Sequence, residues 1–176
     1  LHDLFDSIIK SFGKIDIVMN LAMDFSIDRL KNITAEYISE KLQPKLQGNI
    51  NLYRIAKEKV IKKLVFFSSG ESFTCNIGWG IYASSCIFTD SLKEYINTNN
   101  LVDCISINWG FWENKDSTIN EQFKAKGINP INYKLGGKAL DNILLSNFKQ
   151  VLFLDVSENI KEKMGIITAK QENIIE

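Results

Sequence analysis

A single histidine and three cysteines among 176 residues leave the chain too few soft ligands for a zinc site. Cys75, Cys86 and Cys104 are odd in number and irregularly spaced, which excludes a disulfide framework and a CxxC pair. A reduced, metal-free, cytoplasmic protein is expected. Charge of neither sign is in excess: Lys plus Arg and Asp plus Glu both number 21. Binders of nucleic acid or of anionic membranes gather basic charge, so neither partner is expected. Long apolar runs are also missing. Stretches such as 64–67 and 151–154 fall far short of the roughly 20 residues that span a bilayer. No basic flank precedes an apolar stretch at the start, so no secretory signal is read there. The chain opens on Leu1 rather than Met and reads as part of something longer.

What is present is a globular composition, 45% hydrophobic and 24% charged, of a length suited to one domain. Periodicity divides it into alternating helices and strands. Leu4, Phe5, Ile8, Ile9 and Phe12 form a helical stripe over 1–12, ended by Gly13. A short buried strand is predicted over 15–22. A helix over 34–59 opens at Thr34 as N-cap and is interrupted near Pro44 and Gly48. The nearly continuous apolar run of 63–69 suits a parallel strand buried on both faces. Helix is predicted over 82–98, with Ile87, Phe88, Leu92, Tyr95 and Ile96 inward, and a third strand over 102–109. A polar, loop-like stretch (113–130), a helix near 136–147 and a fourth strand at 151–155 follow. From 156 onward the chain reads as a linker or tail. Alternation of this kind predicts an α/β fold: a Rossmann-like parallel sheet with flanking helices and right-handed crossovers.

Open α/β sheets bind ligands beyond the carboxyl ends of their strands. Asn20, Ser68, Ser69 and Asn108 fall at those ends in three successive strands. After Ser69 comes a loop rich in glycine and hydroxyls (70–80), then Tyr82 at the head of a helix. A free tyrosine has a pKa near 10. Using one as an acid near neutrality requires a nearby cation to stabilise the phenolate, and Lys45 is the candidate.

Four separated motifs carry a resemblance. They are Pro44-Lys45 with Gly48, then Phe66-Phe67-Ser68-Ser69, then Gly78 with Tyr82-Ala83, then Asn108-Trp109-Gly110-Phe111-Trp112. In order and spacing they resemble the ketoreductase domain of modular polyketide synthases, within the short-chain dehydrogenase/reductase superfamily, over about 15–155. The resemblance implies NADPH-dependent reduction of a β-ketoacyl thioester presented by an acyl carrier protein. It implies Tyr82 as general acid, Ser69 polarising the ketone, and Lys45 lowering the Tyr82 pKa while holding the nicotinamide ribose. Asn20, Lys45, Tyr82, Asn108, Trp109 and Gly110 are implied on the cofactor side.

The sequence departs from the pattern in several places. Cys86 stands four residues after Tyr82, where the family usually has Asn, and a thiol is a weak donor. The acidic motif that often marks one stereochemical outcome would fall near 25–27, which has no Asp. No GxGxxG-like turn occurs to receive a pyrophosphate at a helix N-terminus: Gly78-Trp79-Gly80 lacks the third glycine, and Gly136-Gly137 reads as a helix start. The chain is therefore expected to lack the N-terminal Gly-rich βαβ unit and to have the remaining N-terminal part of the reductase domain as a partner. Cys86 and the missing turn also fit a catalytically degenerate, structural reductase-like domain of the same assembly.

Overall fold

A computed structural model describes residues 1–24, 27, 31, 33–99 and 102–166. Four parallel strands form one sheet: β1 (Ile17–Asn20), β2 (Lys63–Ser69), β3 (Asp103–Trp109) and β5 (Gln150–Phe153), in that order across the sheet. Asn20 pairs with Phe66, Ser69 with Trp109, and Trp109 with Phe153. The carboxyl ends of the central strands are thus in register, and the polar residues of the sequence motifs meet there.

The alternation of side chains along β2 and β3 separates two cores. Leu64, Phe66 and Cys104 pack with Ile55, Ala56 and Ile96 on one face, against α3 (Leu46–Glu58) and α5 (Gly80–Thr98). Val65, Ile105, Ile107 and Trp109 face the other way, against Ala139 and Ile143 of α7 (Tyr133–Leu145). Burial on both faces explains why 63–69 reads as a continuous apolar run. α1 (His2–Phe12) buries only Phe5. α2 (Ala35–Leu42) is capped by Thr34, whose Oγ1 accepts from the Tyr37 amide at 3.2 Å. Pro44 separates α2 from α3, and Gly48 lies inside α3.

Several sequence expectations are corrected. Among the described residues β1 is an edge strand, and its Ile17 and Met19 are exposed rather than buried because no described strand pairs beyond it. On α5 the inward positions are Tyr82, Ala83, Ser85, Cys86, Thr89, Lys93 and Ile96, whereas Ile87 and Tyr95 face out. The sheet surface opposite carries Ser106 and Asn108, so polar residues are drawn inward to meet them. The stretch read as loop holds α6 (Ser117–Ala125), capped by Asp116 at 2.9 Å from the Thr118 amide. It also holds β4 (Ile128–Asn129), antiparallel to β6 (Asp155–Val156). α7 begins at Tyr133, not Gly136, because Asn132 accepts from the Leu135 amide at 2.8 Å. In the segment read as a tail, α8 (Glu158–Lys163) forms and the Ser157 amide donates to the Gly127 carbonyl at 2.8 Å; 167–176 lie outside the described residues. No described helix is long and apolar enough to cross a membrane.

Candidate active site

β2 ends at Ser69 and α5 carries Tyr82 one turn before Cys86, so the i, i+4 spacing places both side chains on one face. The Ser69 and Cys86 side chains both hydrogen-bond the Tyr82 hydroxyl. Ser69 Oγ also accepts at 3.2 Å from the amide of Glu71, the first residue of α4 (Glu71–Thr74). Behind that amide, the Glu71 carboxylate holds the following loop by accepting from the Asn76 amide at 3.2 Å and from Asn76 Nδ2 at 2.8 Å. Lys45 immediately precedes α3 and is only 4% exposed. Its Nζ lies 6.0 Å from the centroid of the Tyr82 ring and donates to the Phe67 carbonyl. The structure therefore brings together Ser69, Tyr82, Cys86 and Lys45 from three elements.

Burial is the largest influence on Tyr82 and raises its pKa; Cys86 raises it further, while the Ser69 hydrogen bond acts to lower it. The Lys45 ammonium donates to the Phe67 carbonyl. Lys45 itself is lowered by burial, opposed by Cys86 and Asp90. Burial likewise raises the Cys86 thiol, opposed chiefly by Lys45.

The expected cofactor-side residues fare differently. Asn20 Nδ2 donates to Asn49 Oδ1 at 2.5 Å, and its Oδ1 accepts from the Ala22 amide at 3.0 Å. Asn20 thereby ties β1 to α3. Asn108 has no exposed surface; its amide bonds Ser72, Asp90 and Gln150. Trp109 is 3% exposed and packs on Phe67, Trp112 and Phe153 at centroid distances of 5.5, 4.8 and 5.5 Å. Its Nε1 is buried without a hydrogen-bond partner among the described residues. Gly110 permits a close approach, since a Cβ there would lie 2.9 Å from Leu154 Cβ. These three build the end of the sheet at β3. Phe25 and Ser26, where the acidic motif was sought, lie outside the described residues.

Sequence reasoning passed over Asn49, which is almost fully buried and links Asn20 to Thr89 with Nδ2 3.0 Å from Thr89 Oγ1. Its one signal was a polar residue on the inward face of α3, one turn after Lys45. Asp90 and Ser72 were given no role from sequence, because Asn108, the partner they share, is distant along the chain.

A parallel sheet whose strand ends gather a serine, a tyrosine and a lysine has the architecture of the short-chain dehydrogenase/reductases. The KR domain family model matches residues 1–114, and the chain belongs to that family. It is 25% identical over 177 residues to polyketide synthase PksN of Bacillus subtilis (strain 168), a match covering 93% of this chain and 3% of that protein. The fold is shared with a ketoreductase domain from the bacillaene assembly line, at a TM-score of 0.80 and 24% identity over 92% of this chain and 42% of that one. It is shared too with a short-chain dehydrogenase from Streptomyces avermitilis, at a TM-score of 0.70 and 12% identity over 93% of this chain and 68% of that one.

Proposed function

We propose that this chain carries the catalytic groups of a ketoreductase that uses NADPH to reduce a β-ketoacyl thioester, held on an acyl carrier protein, to the β-hydroxyacyl thioester. The observation that carries this reading is the convergence of Ser69, Tyr82 and Lys45 at one strand end. NADPH, when bound, supplies the hydride that adds to the ketone carbon. Ser69 donates a hydrogen bond to the ketone oxygen, and Tyr82 gives that oxygen its proton as negative charge develops. Donors aimed at charge that exists only in the transition state lower the barrier rather than merely tightening binding. Burial keeps Tyr82 in the protonated form that this role requires.

The residues present suit a nicotinamide ribose. An ammonium has three N–H donors, and among the described residues Lys45 spends one on the Phe67 carbonyl. That leaves a buried cation with donors for hydroxyl groups. The expected contributions of Asn20, Asn108, Trp109 and Gly110 become indirect, through the packing of β1 and of the β2 and β3 ends. Residues 1–155 form the ketoreductase-like unit in this proposal, with 156–176 as its trailing segment and the rest of the reductase domain supplied by further polypeptide.

A catalytically degenerate domain is the second reading. The feature favouring it is Cys86, which raises the Tyr82 pKa where an amide would offer stronger hydrogen bonds. The deciding measurement is oxidation of NADPH by the full natural polypeptide containing these residues, with a β-ketoacyl thioester as substrate. Turnover that depends on thioester supports the ketoreductase; its absence in the natural protein overturns it.

A further inference from the structure

A line of polar side chains beside α5 has no part in the proton and hydride transfers. Lys93, 4% exposed, donates from Nζ to Gln150 Oε1 at 3.2 Å and to Glu94 Oε2 at 2.9 Å. Gln150 Nε2 donates to Asn108 Oδ1 at 3.0 Å. Asn108 Nδ2 donates to Asp90 Oδ2 at 2.7 Å, and the other Asp90 oxygen accepts from the Ser106 hydroxyl. The line runs from the edge of the sheet to the carboxyl end of its central strands.

The direction of every bond in this line is dictated by its ends. An ammonium offers only donors and a carboxylate only acceptors. With Lys93 at one end, Gln150 must accept there through Oε1 and donate onward through Nε2. With Asp90 at the other end, Asn108 must turn Nδ2 toward the carboxylate and Oδ1 toward Gln150. The second Asn108 N–H is then directed at Ser72 Oγ, 2.9 Å away. With its oxygen accepting, the Ser72 hydroxyl donates to the Ser69 carbonyl at 2.9 Å. Longer contacts from the same Nδ2 reach Ser68 Oγ at 3.1 Å and the Ser69 carbonyl at 3.3 Å.

We propose that Asp90 and Asn108 are positioning residues for Ser69. The Lys93–Gln150–Asn108–Asp90 line sets the orientation of the Asn108 amide, and the Asn108–Ser72–Ser69 bonds hold the Ser69 backbone so that its hydroxyl meets the substrate oxygen beside Tyr82. The proposal rests on the ketoreductase reading above. Neither residue touches the reacting atoms. Their effect runs through placement, to which a reacting geometry is sensitive: a misplacement of about 1 Å can cost about 10²-fold in rate. Positions 82, 86 and 90 recur on one helical face, so the helix that presents Tyr82 also presents the carboxylate that orders Ser69.

The test compares Ser72→Ala, Asp90→Asn and their combination in the full natural polypeptide. Ser72→Ala removes the last link and leaves the Asn108–Asp90 pair intact. It lowers kcat for a β-ketothioester roughly threefold to tenfold, the worth of one neutral hydrogen bond, with KM and melting temperature near wild type. Ser72→Thr, which keeps the hydroxyl, restores kcat. The double variant is no slower than Asp90→Asn alone, because both act through one route and their effects do not add. Hydrogen exchange of the amides in 69–73 rises in Ser72→Ala. Wild-type kcat and wild-type exchange in Ser72→Ala, or losses that multiply in the double variant, overturn the positioning role. A natural protein that reduces no β-ketothioester overturns the ketoreductase reading instead. The exchange measurement then judges the relay alone: increased exchange supports it and unchanged exchange defeats it.

Discussion

Lys45 and Tyr82 come from opposite sides of a crossover in the chain, yet the Lys45 Nζ lies 6.0 Å from the centroid of the Tyr82 ring. The ammonium bonds the Phe67 carbonyl, and burial is the largest influence on the ionisation of both groups. The pair is thus a protonated acid beside a desolvated cation. The consequences can be measured.

Replacement of Tyr82 by Phe removes the proton donor while keeping the ring that packs edge-on to Trp79 at 6.1 Å. Turnover of a β-ketothioester is expected to fall by about 10²–10⁴-fold with an unchanged circular dichroism spectrum. Near wild-type turnover would remove Tyr82 from the role of general acid.

Burial lowers the Lys45 pKa from the ordinary value of 10.5. Between the lowered folded-state pKa and 10.5 the unfolded chain holds the extra proton, so stability rises with pH across that window. Tyr82 acts in the opposite sense. Its folded-state pKa is raised, so the stability it confers below the ordinary value of 10.0 is lost as pH climbs past it. Denaturant unfolding of the protein and of Lys45→Met, compared at pH 7 and in steps up to pH 10, isolates the lysine. The natural protein should gain on the variant with rising pH, and a constant difference contradicts the burial account.

Cys86→Asn places a carboxamide, with two donors and an acceptor, beside Tyr82. A gain of one neutral hydrogen bond, about 0.5–1.5 kcal/mol, corresponds to roughly a threefold to tenfold higher kcat. Activity that arises only in the Asn variant establishes the degenerate reading, and lower activity in it shows that the thiol is the better fit.

The three thiols should separate cleanly under alkylation. Cys75 is exposed, whereas Cys86 and Cys104 are buried, and burial pushes the Cys104 pKa up to about 12. Only the thiolate is nucleophilic. Intact mass after iodoacetamide treatment of the native protein at mildly alkaline pH should show one rapid addition, with two more after denaturation. Rapid labelling of Cys86 in the folded state contradicts its placement between α5 and the sheet.

Gly136→Ala tests the seat of α7. A Cβ there would lie 2.2 Å from Trp112 Cη2 and 2.4 Å from Cζ3, and the rigid indole cannot swing away as a flexible chain end does. Overpacking of this kind costs about 1–3 kcal/mol. Chemical denaturation reads it directly, and a neutral result shows that the Trp112 ring has room to shift.

Much of the architecture follows from local pattern. The apolar run of 63–69 gives a strand with the bounds expected, because burial on both faces imprints itself on every residue. Thr34 marks a helix start because a cap is a contact between near neighbours, and the family resemblance of the motifs around Lys45, Ser69 and Tyr82 named residues that stand together in the fold. What the sequence left undecided depends on partners distant along the chain. The polar inward face of α5 makes sense only opposite Ser106 and Asn108. α6 hides in a stretch whose composition is polar because little of that helix is buried. Asn108 has the composition of a ligand-binding residue at a strand end, and only tertiary packing turns it inward, between a carboxylate and an amide from elements far away in the chain. The Lys45 ammonium is decided in the same way. Its charge is written in the sequence, but the carbonyl it bonds and the water it loses are set by where α3 meets β2.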